Sequence, residues 1–382
     1  MIRDITLRQP PVIRFGSGSR RGLAEYLSQI NLLSVHFLCS PSLEREGKEL
    51  ADAARDVGCD ASLQVLPTGE PTVASFEAAL MRAKEARPEG VVGLGGGSVL
   101  DVAKLVAAFM KSSKPIKECF GIGLLPERNL YLICLPTTAG TGSEVSPNAI
   151  LLDEKDTLKK GVVSPHLVPD ATFIDPELAV AVPARITAYT GFDTLTHCIE
   201  AYTNRFAHPL IDIYALEGIR LTAKFLTRSV RESSDLEARE GMAMASCLGG
   251  LCLGPVNTAA VHALSYPLGS RYHIAHGLSN ALLLSAVMRF NLVAATDRYA
   301  TVARALNAPE GASITETAEA GIRILEEMLQ ECGVEPHLGL IGIKETDIPG
   351  MAKAASTITR LLKNNPRDMS IEEIEGIYRA AL

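Results

Sequence analysis

The chain has 382 residues, 47% hydrophobic and 21% charged, with a formal net charge of −7. That length exceeds what one hydrophobic core usually supports, so two domains are expected. The acidic balance excludes a nucleic-acid partner that would need a basic patch, and no run of six like charges marks an acidic or basic tail. The opening residues, MIRDITLRQPPVIRFG, carry no apolar core of signal-peptide length. The uncharged stretch 241–270 is broken by Gly254, Pro255, Asn257 and His262. It reads as buried helix bent at a functional point, with no membrane span expected. The eight cysteines are scattered without a CxxC pair and read as reduced thiols of a cytoplasmic protein.

In chain order, the runs at 35–39 (VHFLC), 62–67 (SLQVLP), 90–95 (GVVGLG) and 130–136 (LYLICLP) read as strands, separated by amphipathic segments such as 75–86 (SFEAALMRAKEA). Strand and helix alternating at this spacing imply βαβ units and a mostly parallel sheet. From about Pro183 the pattern becomes helical, with periods at 184–204, 209–230, 234–253, 256–270, 279–291, 295–305, 313–332 and 369–381. The expected organisation is an α/β dinucleotide-binding domain over 1–183 and an all-helical metal and substrate domain over 184–382.

Two loops in the first half point to a ligand. VVGLGGGSVLDVAK (91–104) is a strand, a glycine turn and a helix. Gly95, Gly96 and Gly97 let the backbone turn tightly and approach a ligand closely. Ser98 is expected to cap the helix, with Asp101 three residues on in a capping-box-like arrangement. Free amides at such a helix start favour a pyrophosphate. PTTAGTGSE (136–144) follows the strand YLICL directly, and ligands of open α/β sheets bind at that edge.

In GFDTLTHCIEAY (191–202), Asp193 and His197 stand at i and i+4, so they share a helix face in apolar surroundings. Downstream, VHALSYPLGSRYHIAHGLSNALLL supplies His262, His273 and His276. One carboxylate with several imidazoles in an apolar setting can build an N/O site for a divalent metal.

Taken together, FGSGS, GGGSVLDVAK, PTTAGTGSE, GFDTLTHCIEAY, VHALSYPLG, HIAHGLSNALLL and NNPR resemble the iron-containing (group III) alcohol dehydrogenases over nearly the whole length. The resemblance implies a Rossmann-like α/β nucleotide-binding domain followed by an all-α metal-binding domain, the dehydroquinate synthase-like architecture. It implies that Asp193, His197, His262 and His276 are metal ligands, usually for ferrous iron and sometimes for zinc. For the NAD or NADP cofactor it implies a pyrophosphate turn at Gly96, Gly97 and Ser98 with Asp101 in the same motif. Thr137, Thr138 and Ser143 are implied around the nicotinamide and its ribose, and Lys160, next to Lys159, as a cofactor-contacting lysine. NAD-preferring members of that family commonly carry an aspartate where Ser40 stands, so Ser40 is expected at the adenosine ribose, with tolerance or preference for NADP(H). Where many members have a further histidine this chain has Tyr266, expected to shape the substrate space, and His273 becomes the candidate proton relay. The implied activity is hydride transfer between a nicotinamide and a small primary alcohol or aldehyde, in a homodimer or larger homo-oligomer. The alternative weighed is a dehydroquinate synthase-like lyase using NAD and zinc, which would need more cationic side chains than the stretch 241–270 offers.

Overall fold

The computed structural model describes residues 2–125, 127–156 and 158–382. The chain divides into two compact units, 7–180 and 181–382, the latter also taking in residues 2–6. The division thus falls just before the expected boundary at 183. Residues 2–6 join the helical unit instead of the α/β unit, held by the Arg3 guanidinium, which donates to the Phe206 carbonyl at 2.7 Å and the Pro255 carbonyl at 3.2 Å.

In the α/β unit, β1 (Val12–Phe15), β2 (Ser34–Cys39), β3 (Asp60–Val65), β4 (Gly90–Gly95), β6 (Tyr131–Pro136) and β9 (Ala171–Ile174) make a parallel sheet in the order β1-β9-β6-β4-β2-β3. A small second sheet joins β5 (Gly121–Ile122), β8 (Leu158–Val163) and β7 (Asn148–Asp153) in that order. The helices are α1 (Leu23–Gln29), α2 (Glu44–Asp56), α3 (Val73–Ala86) and α4 (Gly97–Phe109). Every residue of β4 is buried, as a central parallel strand covered on both faces requires. Alternation sends Val91 into a core with Phe76 and Phe109, and Val92 and Leu94 into a core with Phe37 and Phe173. The four strands expected from sequence are β2, β3, β4 and β6. Of the remaining strands, β1, β5 and β9 are short and β8 carries Lys159 and Lys160 in a six-residue run, whereas β7 is a largely apolar six-residue run that the sequence reading passed over.

Strand order reverses between β2 and β4: the chain leaves β2 for β3 on one side and later builds β4, β6 and β9 on the other. The carboxyl ends flanking such a reversal form the crevice where open α/β sheets take ligands. Ser40 follows β2, and the glycine turn follows β4.

The helical unit contains α5 (Ala184–Thr203), α6 (Pro209–Arg231), α7 (Leu236–Cys252), α8 (Ala260–Tyr272), α9 (His276–Asn291), α10 (Thr296–Ala305), α11 (Ile314–Glu331), α12 (Ile348–Ser356), α13 (Thr359–Leu362) and α14 (Ile371–Ala380). Helices α12 and α13 were not expected from sequence, and two boundaries differ from expectation by more than two residues, both at the metal face. Helix α8 starts at 260 instead of 256, because Asn257 takes a left-handed φ of 76°. Helix α9 starts at His276 instead of 279, which places that imidazole on the first helical residue. Among the described residues one helix, His276–Ala294, is long and apolar enough to cross a membrane, but half of it is buried inside the protein and its buried positions include Ser279 and Asn280. It reads as a core helix.

Candidate metal centre and nucleotide-binding turns

Helix α5 is buried from Gly191 through Thr203, so its polar residues must find partners within the protein. Asp193, His197 and Glu200 stand at i, i+4 and i+7, on one face. The second part of the centre comes from α8, where His262 lies in the first turn, and the third from the start of α9. Gly277 permits the close approach of α9 to α5: a Cβ there would lie 2.2 Å from the Tyr189 carbonyl oxygen.

The three imidazoles converge on one carboxylate oxygen. From Asp193 Oδ1, the Nε2 atoms of His262, His276 and His197 stand at 3.5, 3.6 and 3.7 Å. One ligand atom from each of Asp193, His262 and His276 lies within 4.8 Å of the others. The side chains of Asp193, His197 and His262 are only 3–6% exposed, while that of His276 keeps 29%. The rings of His197 and His262 are stacked with centroids 4.8 Å apart. Separations of 3.5–3.7 Å are too long for hydrogen bonds. They match the edge, about 3.4 Å, of a tetrahedron with metal–ligand arms of roughly 2.1 Å. Asp193, His262 and His276 thus form a group that could hold a divalent ion, and His197 Nε2 lies beside that group at a matching 3.7 Å from the Asp193 oxygen. Cys198 takes no part. Its sulfur packs where Gly218 and Gly249 leave room, around the helix from the metal face.

Two further residues complete the centre. Glu200 Oε2 accepts from His262 Nδ1 at 2.6 Å, and its Oε1 accepts from the Val261 amide at 2.6 Å. Asn280, fully buried, donates from Nδ2 to Asp193 Oδ1 at 2.7 Å. Neither residue was singled out from sequence. The signal was available as spacing: Glu200 follows Asp193 by seven residues, and Asn280 follows His276 by four. Burial works to raise the Asp193 pKa, yet His197, His276 and His262 hold it well below the usual carboxylate range. Burial works to lower that of His262, but Glu200 and Asp193 override it and lift it to about 9.

Tyr266 lies one turn beyond His262 on α8, half-buried, its ring centroid 6.4 Å from that of His276. His273 sits at the end of α8 in a left-handed conformation, φ 55°, and is exposed.

In the α/β unit, the first helical residue after the glycine turn is Gly97 and the cap is Gly96, with no side-chain cap bond. The expected capping box between Ser98 and Asp101 does not form. The Gly96 carbonyl takes the amides of Val99 and Leu100, leaving those of Gly97 and Ser98 at the open end of the helix. Asp101 turns elsewhere, accepting from Ser143 Oγ at 2.5 Å and from the Ile150 amide at 2.9 Å. Asp101 and Ser143 thus bind each other and tie the first turn to the second loop. The glycines serve the same junction: a Cβ on Gly97 would come within 2.5 Å of Thr141, and one on Gly96 within 3.2 Å of Thr138. Thr137 is buried, and its amide donates to the Gly95 carbonyl.

Beneath this junction lies Lys104, fully buried. Its ammonium donates to Ser143 O and Ser146 O at 2.8 Å, to Asn148 O at 2.5 Å and to Ser143 Oγ at 3.1 Å. Burial lowers the Lys104 pKa, with Asp101 opposing the shift. Burial also raises that of neighbouring Glu144 to about 7.

Two cofactor expectations meet a different environment. Lys160 donates to Asp153 at 2.8 Å and to Asp156 at 2.5 Å, whereas Lys159, one residue earlier and on the opposite face of β8, is the buried lysine and pairs with Glu70. Arg45 and Lys48, the cations that follow Ser40 in the chain, pair with Glu49 and Glu44 on the exposed face of α2. Ser40 Oγ itself lies 3.1 Å from Ser42 Oγ.

With this geometry in hand, the comparisons are consistent. The pattern of the iron-containing alcohol dehydrogenases matches residues 10–176, and that of the C-terminal part of the Fe-containing alcohol dehydrogenase family matches 187–382. Long-chain-alcohol dehydrogenase 1 of Geobacillus thermodenitrificans is 35% identical over 380 residues, covering 97% of this chain and 95% of its own. A crystal structure of 1,3-propanediol oxidoreductase superimposes with a TM-score of 0.95 at 30% identity, over 100% of both chains. Sulfoacetaldehyde reductase from Bifidobacterium kashiwanohense, solved in complex with NAD+, superimposes with a TM-score of 0.90 at 29% identity, over 100% of this chain and 99% of its own. The chain belongs to the iron-containing alcohol dehydrogenase family.

Proposed function

We propose that this protein is a metal-dependent, NAD(P)-linked alcohol dehydrogenase that also runs as an aldehyde reductase, with Asp193, His197, His262 and His276 holding one divalent ion. The observation that carries the reading is the convergence of three imidazole nitrogens on a single buried carboxylate oxygen at 3.5–3.7 Å. A divalent ion there supplies Lewis acidity toward the substrate oxygen, and a nicotinamide gives or takes the hydride. The chain's own residues do the rest. Asp193 contributes negative charge in a dry setting, and the imidazoles contribute neutral donors that keep the centre's charge low. The open amides of Gly97 and Ser98 receive the cofactor's pyrophosphate at the start of α4. Half-buried Tyr266 borders the metal face and shapes the substrate, and exposed His273 passes the proton to solvent.

The substrate is a small alcohol or aldehyde. Relatives bear names as different as long-chain-alcohol dehydrogenase, NAD-dependent methanol dehydrogenase and choline dehydrogenase, so the family does not single one out. The test is NADH and NADPH oxidation with a panel of small aldehydes after loading with ferrous iron or zinc. Turnover that requires added metal supports the reading, and metal-independent or absent turnover across the panel contradicts it.

For cofactor choice, Ser40 follows β2 at the reversal of strand order, where a carboxylate would accept from the ribose 2′-hydroxyl and repel a 2′-phosphate. With serine there, NADP(H) is tolerated or preferred. An NADH preference of a hundredfold in kcat/KM, about 2.7 kcal/mol, would refute this.

A further inference from the structure

We propose that Glu200 is a positioning residue for the metal centre: it fixes the ring proton of His262 on Nδ1, leaving the Nε2 lone pair to face Asp193. The inference rests on the metal reading above and concerns a residue outside the four ligands. Glu200 is 4% exposed, and both its oxygens are committed to donors, Oε2 to His262 Nδ1 and Oε1 to the Val261 amide, each at 2.6 Å. A carboxylate only accepts, so Nδ1 must donate, and a neutral imidazole that donates from Nδ1 has a bare Nε2. That bare nitrogen lies 3.5 Å from the Asp193 oxygen. Two acceptors turned toward each other in a buried setting need a positive partner, a proton in the metal-free chain or a divalent ion in its place, and Asn280 Nδ2, 3.1 Å from Nε2, supplies only an N–H dipole. Charge balance points the same way. Asp193 and Glu200 are the two buried carboxylates of this face, the imidazoles are neutral ligands, and one divalent ion cancels the sum. Among the described residues no lysine or arginine is ion-paired to either.

A plainer role competes. Helix α8 has no side-chain cap of its own, and Glu200 Oε1 satisfies the Val261 amide in its first turn. The two roles part company in Glu200→Gln. A glutamine carbonyl can still take the Val261 amide, so the cap survives. Its NH2 group then faces His262 Nδ1 and donates, which forces the ring proton onto Nε2, the nitrogen that must bind the ion. Positioning predicts a large loss of metal affinity in this variant, and capping alone predicts almost none.

The measurement is the dissociation constant for Zn2+ and Co2+, by chelator competition on the purified full-length chain, together with the visible spectrum of the Co2+ form. Glu200→Gln should bind roughly tenfold to a hundredfold more weakly, the range for loss of a partner behind a ligating histidine. Its Co2+ bands should shift, and the melting temperature of the metal-free chain should stay near the parent value. Glu200→Asp, which can only accept, should retain more affinity than Glu200→Gln. Should Glu200→Gln not fold, 15N-histidine NMR of the metal-free parent chain, followed to a pH at which the His262 ring is neutral, decides alone: the proposal requires that neutral ring protonated on Nδ1, and a neutral ring protonated on Nε2 overturns it. A folded Glu200→Gln with parental metal affinity and an unchanged Co2+ spectrum overturns it equally. A parent chain that binds neither metal would count against the metal reading, while the tautomer measurement would still judge Glu200.

Discussion

Helix α5 gathers Asp193, His197 and Glu200 on one buried face, whereas the turn after β4 offers a ligand only glycines, one serine and open amides. In the proposed metal centre of the helical unit the ligand atoms belong to side chains, whose identity cannot change without changing the chemistry. In the proposed nucleotide turn of the α/β unit they are backbone amides, and the conspicuous polar side chains brace the loop: Asp101 grips Ser143, and Lys104 holds the carbonyls of 143, 146 and 148. The comparison teaches that a polar residue inside a motif can be committed to the motif's own shape, as Asp101 is to Ser143 and the Ile150 amide. Substitutions in the two regions should therefore fail differently, by loss of metal in one and by loss of loop geometry and stability in the other.

The largest expected effect that would break this contrast is at Lys104. Lys104→Met removes a fully buried cation and strands several carbonyl oxygens, a cost of about 3–5 kcal/mol. Thermal unfolding should report that loss, and cofactor affinity should fall with it while metal content stays at the parent level. A Lys104→Met protein of parental stability would mean that the ammonium does not brace the loop.

Next comes a pH effect on the same brace. Glu144 has its pKa raised by burial to about 7, so the folded chain holds that proton more tightly than the unfolded chain does. Its contribution to stability is complete below the unfolded value near 4.5 and is lost as pH rises through about 7. The slope between those values reaches at most about 1.4 kcal/mol per pH unit. Glu144→Gln should flatten the stability profile between pH 5 and 7 and make the protein relatively more stable at pH 8. A profile with an undiminished slope would contradict it.

The smallest effect sharpens the metal side. Tyr266 borders His276 without belonging to the ligand set. Tyr266→Phe should keep more than about a tenth of the activity, a barrier change under roughly 1.4 kcal/mol. A loss of several orders of magnitude would make its hydroxyl the proton relay and would remove that role from His273.

Legibility in the sequence followed the same division. Asp193 and His197 stood out because i,i+4 spacing puts them on one face, His262 and His276 came with the resemblance, and most helices of the second unit were readable from their periodicity, though α12 and α13 were not. Glu200 was passed over because a carboxylate within an apolar helix carries no mark of which residue it will meet; its partners, Val261 and His262, lie some sixty residues away. The glycine turn announced itself, but the roles of Ser98 and Asp101 did not. Local spacing favoured a capping box, and a tertiary contact to Ser143 and Ile150 won. The choice between Lys159 and Lys160 depended on the register of β8, a strand that the pattern did not reveal, and one step in register exchanges the faces. The order of the sheet, and with it the reversal between β2 and β4, is long-range pairing that no local window contains.

The central claim is that four side chains from α5, α8 and α9 hold one divalent ion. It is tested most directly by metal analysis of the purified chain beside His262→Ala, each checked for folding by circular dichroism. The account predicts one ion per chain in the parent, and a folded His262→Ala protein with almost no metal and no turnover. A folded His262→Ala protein that keeps the full metal content and parental turnover would contradict it.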